Sequence, residues 1–591
     1  MKRQSRGAGW SGTTHGYGRR ILGGMENAIQ TANEHERGVG RMKKHGVFFL
    51  TALIFVMMFA CASAQTVPLA SETVIEPVAQ VQDLIGLKIP TEYFKEATGG
   101  GEVISAEIKT SESNESVEYV DVFGYIYPID PQAPHIEWRV LLPLKWNGRT
   151  VQLGGGANNG SIPKLTGTGT VGGEIAIDKG YVVYGDDSGH QSESSMDASF
   201  ASNEESLANY IRLHLIKAQD AMRFVVDAYY GQEPVFNFFA GGSTGGREAL
   251  ECATTYGQYY DGIFCCEPAS NYVLIRMWGA ILSQAVYAGY DAETYPYSDG
   301  FIDEQTVKAI QTDALALYDG LDGIEDGIVS NIYAARANRD QFLAEITKKY
   351  GLSEAQLKTI DIYENGYTLD YEMANGMNAY HGYSALEGGM MDLGPDPVPR
   401  EPLDTEYNVH HGDRADGVFK YFITKDPNWV LIDHDYFHPD QNLYDMLMAA
   451  SEEYDANSPE FDDFIANNGK LIYFAGWDDM SMSPWQLIMQ YRGYVERYGQ
   501  ELVDTFCKFY VMPGVTHTKG IAMDYLTWLD IWCSTGEYPD QTLYATMSKT
   551  GGQMPMAEFP GWVQYVEGDP MEGSSYIVST EIPDGFWGVY D

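Results

Sequence analysis

Pro234 to Leu250 reads PVFNFFAGGSTGGREAL, and this stretch decides the fold. Val235 to Ala240 is a short apolar, aromatic-rich run of the kind a buried strand needs. It breaks at Gly241-Gly242-Ser243-Thr244-Gly245, and Arg247, Glu248, Ala249 and Leu250 follow as a helix-compatible segment. G-x-S-x-G between a strand and a helix is the setting in which a serine is made a nucleophile. So sharp a turn strains the serine backbone, and neighbours without a Cβ let strand and helix approach. The serine Oγ then stands above the sheet, and the Thr244 N–H points to where an oxyanion would form at the helix start. A plain Gly/Ser loop is the bland alternative, because the motif also arises by chance. The flanking pattern favours the nucleophile.

Upstream, Val117 to Leu142 alternates apolar and polar residues, which predicts antiparallel strands, and Trp146-Asn147-Gly148 is a turn. Thr150 to Leu153 is a strand that runs into Gly154-Gly155-Gly156-Ala157-Asn158-Asn159-Gly160. A glycine run after a strand, upstream of a nucleophilic serine, is where a second oxyanion donor sits, here the N–H of Gly155 or Gly156. Tyr181 to Gly185 is another strand, ending in Asp186-Asp187-Ser188-Gly189-His190. His190 precedes the serine in the chain and reads as a structural loop histidine. Glu205 to Tyr230 has helical periodicity and stops at Gly231 and Pro234. Helix followed by the strand at Val235 gives the rhythm of an α/β fold with a mainly parallel sheet.

Downstream, Gly262 to Cys266 is strand-like, and then the rhythm stops. From Asn271 to Val430 the chain is rich in Tyr, Gly, Asp and Met without strand–helix alternation; parallel strands resume at Leu471 to Ala475 and Thr505 to Met512. The simplest organisation is an α/β core in two parts, 65–270 and 431–591, interrupted by an inserted lid at 271–430. The strand LIYFAG ends in Trp477-Asp478-Asp479, and FCKFYVM ends in Pro513-Gly514-Val515-Thr516-His517. A carboxylate and an imidazole at successive strand tips, in that order after the serine, complete a nucleophile–base–acid set. His517 would take the Ser243 proton, and Asp479 or its neighbour Asp478 would hold the imidazole. Within the insert, Asp319-Gly320-Leu321-Asp322-Gly323-Ile324-Glu325-Asp326-Gly327-Ile328 lets a loop curl so that carboxylates and carbonyls converge on a hard cation such as Ca²⁺, a solvated acidic turn being the alternative.

A formal charge of −45 over 591 residues argues against nucleic acid or an anionic membrane as partner. Residues 1–64 read as an N-terminal extension and a secretion signal. Met42 is the natural initiator; Arg41, Lys43 and Lys44 precede an apolar run from Val47 to Ala60, and Ala62-Ser63-Ala64 is an A-x-A cleavage site. The run is too short for stable membrane insertion. Met58 and Phe59 make a poor lipobox for Cys61, so the mature chain is expected to begin near Gln65 in the periplasm or outside the cell. Five further cysteines remain, Cys252, Cys265, Cys266, Cys507 and Cys533.

LPLKWNGRTVQLGGGANNG, DDSGH, AYYGQEPVFNFFAGGSTGGREAL, YDGLDGIEDGIV, GWDD and MPGVTH occur in the chain in that order. In these stretches, from about Leu84 to Pro539, the sequence resembles the tannase and feruloyl esterase family of α/β-hydrolases. The resemblance implies a triad of Ser243, Asp479 and His517, choosing Asp479 over Asp478. It also implies a structural calcium site in the lid, with the carboxylates of Asp319, Asp322 and Asp326 and the backbone carbonyls of Ile324 and Ile328 as ligands. There is one departure. Family members usually carry a disulfide between the positions that here are Gly242 and Thr518. The implied activity is hydrolysis of small aromatic acid esters such as gallates or hydroxycinnamates, without an organic cofactor. Arg414 is a possible carboxylate or phenol contact, with a solvated surface arginine as the favoured alternative, and Met482 is a possible part of the acyl pocket. Two other readings share these residues: a general short-chain or synthetic aromatic diester esterase, and a secreted binding protein that has lost catalysis.

Overall fold

The computed structural model describes residues 67–591 apart from 402, 404–407, 540–541, 584–585 and 587–591. The signal-type segment at 42–64, with Cys61, lies outside the described residues. Ten strands form one sheet: β1 (Lys88–Ile89), β2 (Gly101–Thr110), β3 (Glu118–Ile126), β4 (Ile136–Pro143), β5 (Arg149–Leu153), β6 (Val182–Asp186), β7 (Phe236–Ser243), β8 (Gly262–Pro268), β9 (Lys470–Gly476) and β10 (Cys507–Met512). Their spatial order is β1-β2-β3-β4-β6-β5-β7-β8-β9-β10. Pairing is antiparallel from β1 to β4 and between β4 and β6, and parallel from β6 through β10. The expected antiparallel strands before Leu142 are β3 and β4, and the expected α/β-hydrolase core is the parallel half.

The strands read as they do because of what covers them. β8 and β9 are buried at every position, which suits strands whose two faces are both packed by helices. On β7, Phe238 and Phe239 point to opposite faces, as the strand period requires. Phe238 packs with Phe264, Tyr525 and Leu529, the last two on the helix Tyr525–Thr535. Phe239 packs with Ala249, Leu250 and Ile488, from the helices Thr244–Thr254 and Pro484–Tyr498. Beneath the antiparallel half, Met222, Val225 and Val226 of α1 (His214–Tyr230) close a third cluster with Val140 and Val182.

The helix expected as one piece from Glu205 to Tyr230 is interrupted. A short helix Glu204–Ala208 passes through a π turn at Asn209–Leu213 before α1 begins. The local sequence remains helix-forming; the cause is Arg247, whose guanidinium donates to the carbonyls of Tyr210 and Ile211 at 2.9 and 2.7 Å.

Among the described residues between Pro268 and Lys470 the main sheet receives no strand. That interval holds α3 (Tyr272–Val286; α2 being Thr244–Thr254), the helices Glu304–Tyr318, Ile332–Tyr350 and Glu354–Asn365, and α4 (His410–Val418). Their apolar faces share one cluster centred on Trp278 and Phe419, which also takes in Leu443 and Leu447. Among the described residues no helix is long and apolar enough to cross a membrane.

The sheet and α2 meet with almost no space between them. A Cβ on Gly241 would lie 2.4 Å from the Gly245 carbonyl oxygen. Gly241→Ala is therefore expected to destabilise the protein by about 1–3 kcal/mol in reversible denaturation. An unchanged stability would contradict this packing.

Candidate active site

Ser243 ends β7 with φ 61° and ψ −118°, a backbone conformation that a serine does not adopt without constraint. Thr244 opens α2, so its N–H has no partner within the helix. The Thr244 hydroxyl donates to the Ala157 carbonyl at 2.6 Å, tying the glycine run after β5 to the start of α2. In that run the structure separates the two proposed donors. The Gly155 N–H already donates to Glu248 Oε2 at 3.0 Å, which corrects its assignment to the oxyanion hole. Gly156 keeps the role open: a Cβ added there would meet nothing within 4 Å. Glu248 also accepts from Asn159 Nδ2 at 2.7 Å, and His214 lies between Asp186 (2.7 Å) and Glu248 (3.6 Å). Burial opposes the imidazolium of His214, but the charge and hydrogen bond of Asp186, together with the charge of Glu248, outweigh it and raise its pKa. The glycine run thus rests on a buried, charged floor.

His517 and Asp479 meet with Nδ1 and Oδ2 2.9 Å apart, and Asp479 also accepts the Ser481 N–H at 2.6 Å. Asp478 faces elsewhere, accepting the Gly514 N–H at 3.3 Å and lining a separate cavity. With Nδ1 turned to Asp479, Nε2 is the nitrogen left for substrate chemistry. Burial lowers the proton affinity of His517, while the charge and hydrogen bond of Asp479, with Glu267, override it and raise its pKa.

Glu267 is the residue that sequence reasoning missed. It lies at the C-terminal end of β8, fully buried, with a positive φ of 45°. Its Oε2 accepts the Thr518 N–H at 2.6 Å and stands 3.4 Å from His517 Nδ1. Burial, reinforced by the charge of Asp479, pushes its carboxyl up to about 8. A signal was present: Glu267 ends an apolar strand, as Asp478 and Asp479 follow one. Gly242 and Thr518 are neighbours as the resemblance implies, since a Cβ on Gly242 would lie 2.9 Å from Thr518 Cγ2. Among the described residues every cysteine is a free thiol.

Ser243, Thr244, Gly156 and His517 line one cavity of about 690 Å³. Its walls include Met196, Met390, Met480 and Met482, together with Arg276 and Arg414. Arg414, expected as a surface residue or a substrate contact, is half-buried and donates to Asp413 and to the His410 carbonyl, both at 2.8 Å. His190 stays out of this cavity, buried and stacked on Phe200 with ring centroids 3.5 Å apart.

The acidic loop of the insert curls as its glycines suggest. Asp319 accepts the Gly327 N–H at 2.9 Å, Asp322 the Ser330 N–H at 2.8 Å, and Asp326 the Ile328 N–H at 2.9 Å. Burial and the neighbouring aspartates raise Asp322 to about 6 and also raise Asp326. This is a set of hard oxygen donors, with Lys549 donating to the Gly327 carbonyl of the same loop, and such donors are the chemistry that fits Ca²⁺. Their oxygens are not yet gathered: among the described residues the group of three acidic or histidine ligand atoms within 4.8 Å of one another is Glu267, Asp479 and His517. Ile328 is buried against Gly514, so the acidic loop backs directly onto the loop that carries His517.

A family profile described as "Tannase and feruloyl esterase" matches residues 120–579. An uncharacterized esterase of Agrobacterium fabrum is 36% identical over 539 residues, covering 86% of this chain and 96% of that protein. A mono(2-hydroxyethyl) terephthalate hydrolase of Piscinibacter sakaiensis is 24% identical, over 72% of this chain and 77% of its own. The crystal structure of feruloyl esterase B from Aspergillus oryzae superposes with a TM-score of 0.64 at 17% identity, covering 82% of this chain and 98% of that one. At that identity the likeness speaks for the fold.

A histidine base works in its neutral form, and Asp479 and Glu267 both favour the protonated form. The rising limb of kcat/KM against pH should therefore lie above the ordinary histidine range. Glu267→Gln removes one favouring carboxylate and should move that limb to lower pH, measured on any ester the protein turns over. An unmoved limb would separate Glu267 from the histidine.

Proposed function

The chain belongs to the tannase and feruloyl esterase family, and we propose that it is a serine carboxylic ester hydrolase acting on esters of aromatic, hydroxycinnamic or gallic-type acids. The observation that carries this reading is a strained Ser243 sharing one cavity with a His517 whose Nδ1 is held by Asp479. In this mechanism His517 Nε2 takes the Ser243 proton as Oγ attacks the ester carbonyl. The N–H groups of Thr244 and Gly156 receive the oxyanion. Collapse expels the alcohol, which takes the proton back from His517, and leaves an acyl-enzyme on Ser243. Water activated by His517 then releases the acid. Asp479 stabilises the imidazolium formed in both halves of the cycle.

The four methionines of the cavity suit a flat aromatic acyl group, since thioethers pack well against ring edges. Residues 271–430 serve as a lid, contributing Arg276, Met390, His410 and Arg414 to the cavity while the core supplies the reacting groups. Ca²⁺ would be held by the carboxylates of Asp319, Asp322 and Asp326 with the carbonyls of Ile324 and Ile328, and its charge would relieve the repulsion within that loop. Its role is structural, through Ile328 and Gly514 to the His517 loop. The leader at 42–64 places the protein in the periplasm or outside the cell.

The mature chain from Gln65 should hydrolyse at least one of methyl gallate, methyl ferulate and methyl p-coumarate. Ser243→Ala should reduce kcat by about 10⁴-fold or more. Turnover of p-nitrophenyl acetate alone would instead support a general esterase, and no turnover of any ester would leave the binding-protein reading. A chelator should lower the melting temperature, with recovery on adding Ca²⁺, and Asp322→Asn should abolish that response. A melting temperature indifferent to both would remove calcium from the account.

A further inference from the structure

We propose that Glu248 is a positioning residue for the reaction: from the helix that carries Thr244 it grips the glycine run after β5 and sets the direction of the Gly156 N–H, the second oxyanion donor. This rests on the esterase reading and adds to it a residue that touches no substrate.

Two oxyanion donors from different parts of the chain act together only if they are held in register. Thr244 opens α2, and Glu248 lies one turn further along the same helix. It is fully buried, and each of its oxygens takes a donor from the run: Oε2 from the Gly155 N–H at 3.0 Å, Oε1 from Asn159 Nδ2 at 2.7 Å. The Gly245 N–H donates to the Gly155 carbonyl at 3.1 Å, so both backbone groups of Gly155 are committed to α2. That carbonyl shares a peptide plane with the Gly156 N–H and lies antiparallel to it in a trans peptide, so fixing the one directs the other. With the Thr244 hydroxyl on the Ala157 carbonyl, α2 holds the run at Gly155, Ala157 and Asn159. Gly156, between them, lines the cavity with Ser243.

The contacts call for a carboxylate. Both groups that the run presents are donors, and a carboxylate only accepts, whereas an amide would turn its NH₂ toward one of them. Hydrogen bonds to a carboxylate are also the stronger kind. A buried carboxylate needs a counter-charge, and His214 stands beneath it, Nε2 3.6 Å from Glu248 Oε1 and Nδ1 2.7 Å from Asp186 Oδ1. Burial works against the imidazolium, but Asp186 and Glu248 overcome it and raise the pKa of His214. Asp186 accepts the Ser188 N–H at 2.8 Å, and the Ser188 hydroxyl meets Asn159 Nδ2, which closes the network back on the run. The fit leaves no slack: a Cβ on Gly154 would lie 2.8 Å from Glu248 Oε2. Glu248, His214 and Asp186 stand outside the lining of the cavity, so their effect on the reaction passes through the backbone of the run.

Glu248→Gln keeps the shape and removes one of the two acceptors. On an aromatic ester kcat should fall about 10- to 100-fold with KM changed by no more than about threefold, because oxyanion donation acts in the transition state. Adding Asn159→Asp offers the misplaced amide an acceptor, at a position whose φ of 58° an aspartate tolerates, and the double variant should recover most of the lost kcat. A role in stability alone would lower the melting temperature and leave kcat of the folded protein unchanged. Hydrogen exchange across residues 154–160 needs no turnover; it should quicken about tenfold or more in Glu248→Gln and slow again in the double variant. Should Glu248→Gln not fold, Asn159→Gly, which keeps the positive φ and removes the donor, should show the same loss of kcat at constant KM. An unchanged kcat, a change confined to KM, or a double variant no better than the single would overturn the proposal. Quickened exchange in a protein whose wild type hydrolyses no ester would overturn the esterase reading and leave the hold of Glu248 on the run standing.

Discussion

Three backbones meet at the turn between β7 and α2, and the rest of the site depends on how closely they meet. Gly241 has room for no side chain against the Gly245 carbonyl, and a Cβ on Gly245 would lie 2.9 Å from the Gly155 carbonyl oxygen. That contact is what holds Ser243 at a positive φ and brings the glycine run after β5 beside the first N–H of α2. Thr244 fastens the same junction from its side chain. β5 and β7 are adjacent parallel strands although β6 intervenes in sequence, so the chain reverses direction across the sheet here. A crevice opens at such a reversal, and the chemistry gathers in it.

The electrostatics of the site are arranged in layers of opposite sign. Beneath His517 lie two buried carboxylates, Asp479 and Glu267, and beneath the glycine run lies Glu248 with its histidine. Across the cavity stand two arginines with one committed counterion between them. The acid side favours a protonated histidine, and the basic side favours an anionic ligand. The positions at which the family resemblance implies a disulfide are Gly242 and Thr518, where a Cβ on the glycine would lie 2.9 Å from Thr518 Cγ2. The Thr518 backbone is instead tethered by Glu267, a hydrogen bond in place of a covalent link.

What was legible in the sequence was local. Ser243 sits in a motif whose meaning depends on the strand and helix directly beside it, and His517 and Asp479 each close a strand that reads as apolar. Choosing Asp479 over Asp478 was beyond local pattern, because adjacent residues at a turn differ only in direction; the structure sends one to His517 and the other to Gly514. Gly155 and Gly156 were inseparable for the same reason, until Glu248 claimed one of them. Glu267 followed the strand-tip rule that found the aspartates, but Pro268 and the loss of rhythm after it hid the strand's end. Arg276 reads as the one charged residue on a mostly apolar helix, and only the packing of α4 shows that it lines a cavity. The π turn at Asn209–Leu213 depends on Arg247, which is distant in sequence, so no periodicity could disclose it.

The central claim is that Ser243 is a nucleophile activated by His517. Labelling the mature protein with a fluorophosphonate and mapping the adduct by peptide mass spectrometry tests it without any choice of ester. A single adduct on Ser243, lost in His517→Ala, is the predicted result. Labelling at another residue, or none at all in a folded protein, would contradict the account.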